Sequence, residues 1–509
     1  MIRPRVRQCT WERLRPAGRC PSSRSLRLIL ALNLLGTLAW SQPLVIMHVT
    51  VIDATDHAAQ PDMAVVIVGD RIAALSPSKT AKLPKNAQVV DGTGKFLIPG
   101  LWDMHVHGAA DARAPWSYPL YLANGVVGVR EMAGPSDAHA WRAQQASSAM
   151  PSPRIYLGSP IVDGPNPVWA GSIVAANEEQ GREAVAEQQQ RGADFIKVYE
   201  RLPRGAYFAI ADEARKRGIA FEGHVPDAVT AAEASDAGQK SIEHLTHVAE
   251  ACSGEEKAIL GEELSASERL RAPGLTIEER MTAGKRLIHS EARAYETYDE
   301  ATAQSLFARF VRNGTWQCPT LTQVRSLMND PQFLNVPWLK YLSKATRSHF
   351  SGGYYKNLPA EAQSALLELA KVRFRESMKL VGRMHRAGVH ILAGTDAMNP
   401  RCFPGFSLHD ELAMLAGAGL TPLAALQACT RNAAQFMGQL DRRGTIEAGK
   451  TADLVLLDKD PLADIHNTRS IEALVLHGKL MPRAALDAML AEAQVLADSP
   501  QAGGPDTRN

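Results

Sequence analysis

The chain has 509 residues, 45% of them hydrophobic and 22% charged, with a formal net charge of +2. That composition excludes a disordered chain and leaves ample apolar material for a large core plus a second domain. The positive balance sits at the front: without residues 1–41 there are 48 basic against 53 acidic residues, so no basic stripe remains and nucleic acid is not an expected partner.

Residues 1–27 carry eight arginines and one acidic residue, Glu12, and run into an apolar stretch at 28–40 whose 13 residues are too few to span a bilayer as a helix. With the small residues Ala39 and Ser41 behind it, this layout predicts a signal peptide over 1–41, a mature start near Gln42 and a periplasmic or secreted destination. A tethered N-terminus is the alternative reading of so long a basic leader, and no membrane span is expected after it. Cys252, Cys318, Cys402 and Cys429 are too scattered to name a disulfide and form no CxxC knuckle.

Short alternating runs over 42–98 and again over 441–482 predict strands too few for two cores, so the two ends are expected to pair into one small β-sandwich. Between them, over 99–440, one pattern recurs: a helix-like stretch, a glycine suited to a left-handed stop, and a β-branched run ending on a polar residue. Gly125 leads to Arg130, Gly192 to Lys197, Gly218 to His224, Gly238 to His244, Gly314 to Thr320 and Gly388 to Asp396. With strands ending near His107 and Ser159, this makes eight β/α units, the signature of an α/β fold of the (β/α)8 TIM-barrel type with its reactive residues on one rim. Residues 250–313 and 322–386 exceed what a barrel connection needs and are expected as helical insertions over the mouth, with a mobile break at the Gly/Tyr-rich 351–355. Residues 483–509 are expected to form a helix and a disordered tail.

His105-Val106-His107 ends an apolar run, and residues i and i+2 of a strand share one side, so both imidazoles can hold one ion. Lys197 interrupts an otherwise buried strand; its charge must be relieved by an ion pair or by reaction with CO₂ to an anionic carbamate. His224 and His244 end the next two strands, and a strand spacing of about 5 Å brings them towards the same ions. Asp396 ends the eighth strand, back beside the first, as a ligand and proton acceptor. His247 is a candidate at the mouth, and Tyr199 and Arg130, both at strand ends, are candidates for binding there. His390 has no such placement, His409 suits packing or capping, and His48, His57, His466 and His477 belong with the terminal strands.

These residues stand in the segments Leu97-Ile98-Pro99-Gly100-Leu101-Trp102-Asp103-Met104-His105-Val106-His107-Gly108, Phe195-Ile196-Lys197-Val198, Gly223-His224-Val225, Ser241-Ile242-Glu243-His244, Ala393-Gly394-Thr395-Asp396 and the tail Gly444-Thr445-Ile446-Glu447-Ala448-Gly449-Lys450-Thr451-Ala452-Asp453. Together they resemble the amidohydrolase superfamily, in its imidazolonepropionase-like and prolidase-like branch. The resemblance implies two divalent metal ions, usually zinc. His105, His107 and Asp396 would hold one, His224 and His244 the other, and N6-carboxylated Lys197 would bridge them. It also implies hydrolysis of an amide bond in a dipeptide or N-acyl amino acid by a metal-bridging hydroxide, with Asp396 moving the proton, and a chain that can assemble as a homo-oligomer. The alternatives are a mononuclear cyclic-amide hydrolase or deaminase, and a catalytically inactive barrel that serves as a binding protein.

Overall fold

The computed structural model describes residues 42–328, 336–344, 346, 347, 350 and 359–497. The leader, the 351–355 segment and the end of the tail lie outside the described residues. Alternation in the N-terminal runs is read out as β1 (Leu44–Val51), β2 (Gln60–Val68), β3 (Arg71–Pro77), β4 (Gln88–Asp91) and β5 (Phe96–Pro99). Towards the C-terminus lie β15 (Leu454–Leu457), β16 (Ile471–Leu476) and β17 (Lys479–Pro482). The expected sandwich is one mixed sheet, ordered β17-β16-β15-β5-β1-β2-β3 with β4 on β1. The stitch is β5, which pairs in parallel with β1 and antiparallel with β15, so the two chain ends share a continuous ladder. Period-two alternation divides its faces: Leu454 and Leu456 join Ile46, Val65 and Leu97 in a cluster of the sheet's own, while Val455 and Leu457 face the main core.

The central strands are parallel: β6 (Leu101–Val106), β7 (Val126–Glu131) and β8 (Arg154–Leu157) in one sheet. A second sheet of parallel pairs has the order β10-β9-β11-β12-β13-β14, made of β9 (Val162–Asp163), β10 (Ile173–Val174), β11 (Phe195–Val198), β12 (Ala220–Gly223), β13 (Ser241–Glu243) and β14 (Trp316–Cys318). Parallel bridges join Gly158 to Phe195, Gln317 to Ile391 and Ala397 to Val106. The stretch 391–397 is thus bridged to β14 on one side and to β6 on the other, in the place expected of an eighth strand.

The helices between strands follow their sequence signals. Glu178–Gln190 is capped by the Asn177 side chain, Arg204–Arg217 ends on Gly218 at φ 67°, and Glu300–Asn313 ends on Gly314 at φ 65°. That last helix packs Phe307 and Phe310 into the core, so it is one of the barrel's own. The first insertion is therefore shorter than 250–313. It consists of Glu256–Arg271 and Ile277–Glu296, pinned at its base where Asp299 N–H donates to Cys252 O at 2.9 Å and Gly254 N–H to Thr297 O at 3.2 Å. The second includes the 27-residue helix Ala360–Arg386, which buries Leu380, Val381 and Met384 in the barrel core at its C-terminal end. A C-terminal helix, Arg483–Ala497, follows β17. No helix among the described residues is long and apolar enough to cross a membrane.

Candidate metal centre

At the C-terminal ends of the strands the backbone turns abruptly. His244, His247, Thr320 and Asp396 all adopt left-handed φ, between 46° and 58°, a conformation uncommon for non-glycine residues. These turns break the strand alternation and aim side chains over the rim. Gly223 has φ 139°, and a Cβ there would stand 2.2 Å from Val198 O, so only glycine lets β12 run this close to β11 just before His224.

Five of the six expected ligands meet in direct contacts, and Lys197 lies among them. Asp396 Oδ1 is 3.0 Å from His107 Nε2 and 3.4 Å from His105 Nε2. The His244 ring centroid is 4.6 Å from that of His105 and 4.7 Å from that of His224. Lys197 Nζ lies 5.7 Å from the Tyr199 ring, which is in turn 4.1 Å from the His224 ring. His105, His107 and Asp396 each offer a ligand atom, and the three atoms lie within 4.8 Å of one another. Among the described residues three buried atoms here have no partner in acceptable hydrogen-bond geometry: His105 Nε2, Lys197 Nζ and Asp396 Oδ1, the last despite its 3.0 Å approach to His107. Orphans of that kind are costly; a bound cation would relieve His105 Nε2 and Asp396 Oδ1, whereas the Lys197 amine would be relieved only on conversion to an anionic carbamate.

The opposite sides of the imidazoles are occupied. His105 Nδ1 is 2.7 Å from Glu243 Oε2, His224 Nδ1 is 3.0 Å from Glu200 Oε1, and His244 Nδ1 is 2.6 Å from Thr320 Oγ1. A carboxylate accepting the Nδ1 proton fixes the tautomer and leaves the Nε2 lone pair free for a metal. Burial holds His105 and His224 well below the usual imidazole range and His244 at about 3, so all three rings are neutral at neutral pH, the form that could ligate a metal. Lys197 is brought down to about 8, chiefly by burial against the opposing pull of Glu243 and Asp396, which makes its neutral, CO₂-reactive amine accessible. Burial opposes ionisation of Asp396, but the His107 contact and the charge of Lys197, joined in acid by that of protonated His244, outweigh it and hold the carboxyl at about 2.

Of the substrate candidates, Tyr199 and His247 line the cavity above this centre. Tyr199 Oη accepts a hydrogen bond from Trp169 Nε1 at 2.8 Å, and His247 Nδ1 meets Val229 O at 3.1 Å. Arg130 does not line it. It is fully buried in the barrel, with Nη1 on Glu222 (2.8 Å) and Ser241 (2.9 Å), Nη2 on both oxygens of Glu243 (2.9 and 2.8 Å), and Nε on Met104 O. Two buried carboxylates claim its guanidinium, so none of it is left for substrate. Sequence reasoning passed over Glu243 and Glu200 and placed Thr320 at a strand end without a partner; Glu243 stands inside a segment already singled out for His244, and a carboxylate in a buried strand was its signal. His409 is buried with Nδ1 on Thr468 Oγ1 at 2.9 Å, and His390 stacks on Trp316, both structural placements.

The cavity measures about 490 Å³. His107, His224, His244 and Asp396 form its floor, and the insertion helices supply the far wall through residues such as Tyr295 and Arg373.

Comparison with known proteins bears on this arrangement. A model of the amidohydrolase family matches residues 96–481. An imidazolonepropionase of Mesorhizobium japonicum is 41% identical over 86 residues, a stretch covering 17% of this chain and 21% of that protein. The chain therefore spans about a fifth of that curated relative. Ochratoxinase of Aspergillus niger is 24% identical over 471 residues, covering 79% of this chain and 78% of its own. Among solved structures, a bottromycin amidohydrolase superposes with a TM-score of 0.67 at 22% identity, covering 89% of this chain and 90% of the other, which supports the TIM-barrel architecture.

Proposed function

This chain belongs to the amidohydrolase family, and from that premise we propose that it hydrolyses an amide bond of a dipeptide or N-acyl amino acid at a two-metal centre, in an exported protein. The observation that carries the reading is the convergence of the unpartnered His105 Nε2, Lys197 Nζ and Asp396 Oδ1 at one rim, beside His224 and His244. His105, His107 and Asp396 would hold one ion, His224 and His244 the second, and carboxylated Lys197 would span both. Zinc is the first choice for such nitrogen and oxygen donors. Metal bound there supplies a Lewis acid that acidifies water towards neutral pH and polarises the amide carbonyl.

The remaining steps belong to the chain's own side chains. Asp396, ionised at neutral pH, accepts the proton of the attacking water at its carboxylate and delivers it to the amide nitrogen, which would otherwise leave as a strongly basic anion. Glu243, Glu200 and Thr320 keep the three imidazoles oriented, so no reorganisation is needed as charge develops. Tyr199 and His247 flank the floor where the amide's substituents must lie. The tilted Tyr199 ring, 4.1 Å from that of His224, covers one side of the centre. The presence of Lys197 and of the His224/His244 pair favours this reading over a one-metal cyclic-amide hydrolase, for which His105, His107 and Asp396 would suffice. The test is amino acid release from a library of dipeptides and N-acyl amino acids by the zinc-loaded chain from Gln42 onward. Release above the metal-free background supports the proposal, and none from any member refutes it.

A further inference from the structure

The turn after β14 departs from the usual start of a helix. Thr320 immediately precedes the helix Leu321–Ser326, a position where a threonine hydroxyl ordinarily accepts a backbone N–H of the first turn. Here the hydroxyl makes no such bond, because Thr320 Oγ1 is turned to His244 Nδ1 at 2.6 Å. The Thr320 backbone sits at φ 46° and ψ 51°, a left-handed conformation that a β-branched residue adopts only where its surroundings enforce it.

The enforcing group is Glu411, 90 residues beyond Leu321 in the helix Phe406–Gly417. Its carboxylate is fully buried and accepts three hydrogen bonds. Leu321 N–H donates to Oε1 at 3.0 Å, while Thr322 N–H and Thr322 Oγ1–H donate to Oε2 at 2.7 and 2.8 Å. The next donor, Gln323 N–H, goes to the carbonyl of Thr320 itself at 2.9 Å. The first-turn N–H groups are thus satisfied from a distant helix, and the Thr320 hydroxyl is not needed for them. Asp410, the neighbour of Glu411, adds a second tie to the same short helix through Arg325 Nη2 at 3.3 Å. We propose that Glu411 is a positioning residue for the metal centre: by capping the turn after β14 in place of Thr320, it leaves the Thr320 hydroxyl to accept the His244 Nδ1 proton, so that Nε2 is presented to the ions. The inference rests on the reading of His244 as a ligand of the second ion, but the clamp can be read without metal.

Burial pushes Glu411 up to about 7 against those three bonds, so the tests are run at about pH 8.5, where it is ionised. In the first, metal-free protein labelled with nitrogen-15 at histidine is observed by NMR, with His244 assigned by the resonances lost in H244Q. The wild type should show one His244 tautomer, protonated at Nδ1, and E411Q a mixture of the two. In the second, zinc affinities are measured by competition with a chromophoric chelator. E411Q and T320V should each weaken one ion by tenfold or more and leave the other within threefold. The double variant E411Q/T320V should bind that ion within threefold of the weaker single variant, because both changes break one chain of hydrogen bonds. Losses that multiply in the double variant overturn the inference. So does an E411Q that keeps the wild-type His244 spectrum or both affinities while only its thermal midpoint falls, the behaviour expected of T421A, which strips an ordinary cap from Pro422–Ala428. Should E411Q not fold, T322V, which removes one of the three bonds and no charge, carries the same test with a weakening of about threefold, and an unaltered T322V then overturns the inference. A tautomer shift in E411Q of a protein that binds no zinc would leave the clamp standing and remove the two-metal reading.

Discussion

Replacing Arg130 with methionine removes the guanidinium that Glu222 and Glu243 share inside the barrel and leaves Glu222, among the described residues, only Lys240 Nζ at 3.9 Å; the structure sets the size of the effect. Both carboxylates are fully buried, and Glu243 also accepts Ser241 Oγ–H at 2.5 Å. Breaking a buried pair by removing one partner costs about 3–5 kcal/mol. The stranded pair has one escape, protonation. Taking up a proton at pH 7 by a group of ordinary pKa near 4.5 costs about 1.4 kcal/mol per pH unit, or roughly 3.4 kcal/mol per carboxylate. The two routes agree on a loss of at least about 3 kcal/mol. The sign of the pH dependence follows: a carboxyl whose folded pKa is raised contributes stability below its unfolded value and loses it as pH rises. R130M should therefore be most destabilised at pH 7 and above, and recover by about 1.4 kcal/mol per unit and per protonated group as pH falls towards 5. Guanidinium unfolding of the chelator-treated protein, which keeps metal binding out of the balance, reads this directly. R130M/E222Q should regain part of the loss because one stranded charge is gone. A penalty under 1 kcal/mol at pH 7, or one that is flat between pH 5 and 7, would refute the reasoning.

Glu243→Gln keeps the size of the side chain but no longer accepts the His105 proton as a charged group, and it should weaken metal binding by about 10–100-fold, measured by competition with a chromophoric chelator. His409, fully buried and held near about 3, stays neutral when folded and binds a proton only when unfolded. Its contribution is therefore lost as pH falls through 6.5 towards 3, and H409Q should make the acid limb of the stability curve shallower by about 1.4 kcal/mol per pH unit. Gly223→Ala would force a Cβ against Val198 O at a φ of 139°, and should cost at least about 2 kcal/mol and displace His224, seen as a lower thermal midpoint with reduced metal content.

The residues that converge at the rim were legible because strand-end position is a local property: the glycine stop, the β-branched run and the polar last residue sit within ten residues of one another, as from Gly218 to His224. The pairings of Arg130 were not legible, since its partners Glu222 and Glu243 lie 92 and 113 residues further along the chain. Period-two alternation would set Glu243 and His244 on opposite sides of β13. Both serve the centre only because His244 leaves the strand at φ 57°, a turn that no glycine announces. The pairing of the two chain ends was legible from their alternating runs, but not that β5 joins β15 and β1 in one continuous sheet instead of a sandwich, because alternation gives no strand order. The 250–313 stretch looked uniformly helical, yet only the base contacts at Cys252 and Asp299 show where the insertion ends and the barrel helix begins.

The most direct test of the account is the metal content of purified protein and of its Lys197→Ala variant, measured by mass spectrometry of the elements alongside hydrolysis. Two divalent ions per chain in the wild type, falling to one or none in K197A together with the activity, is the predicted result. An active wild type without bound metal, or a K197A variant that retains both ions, would contradict it.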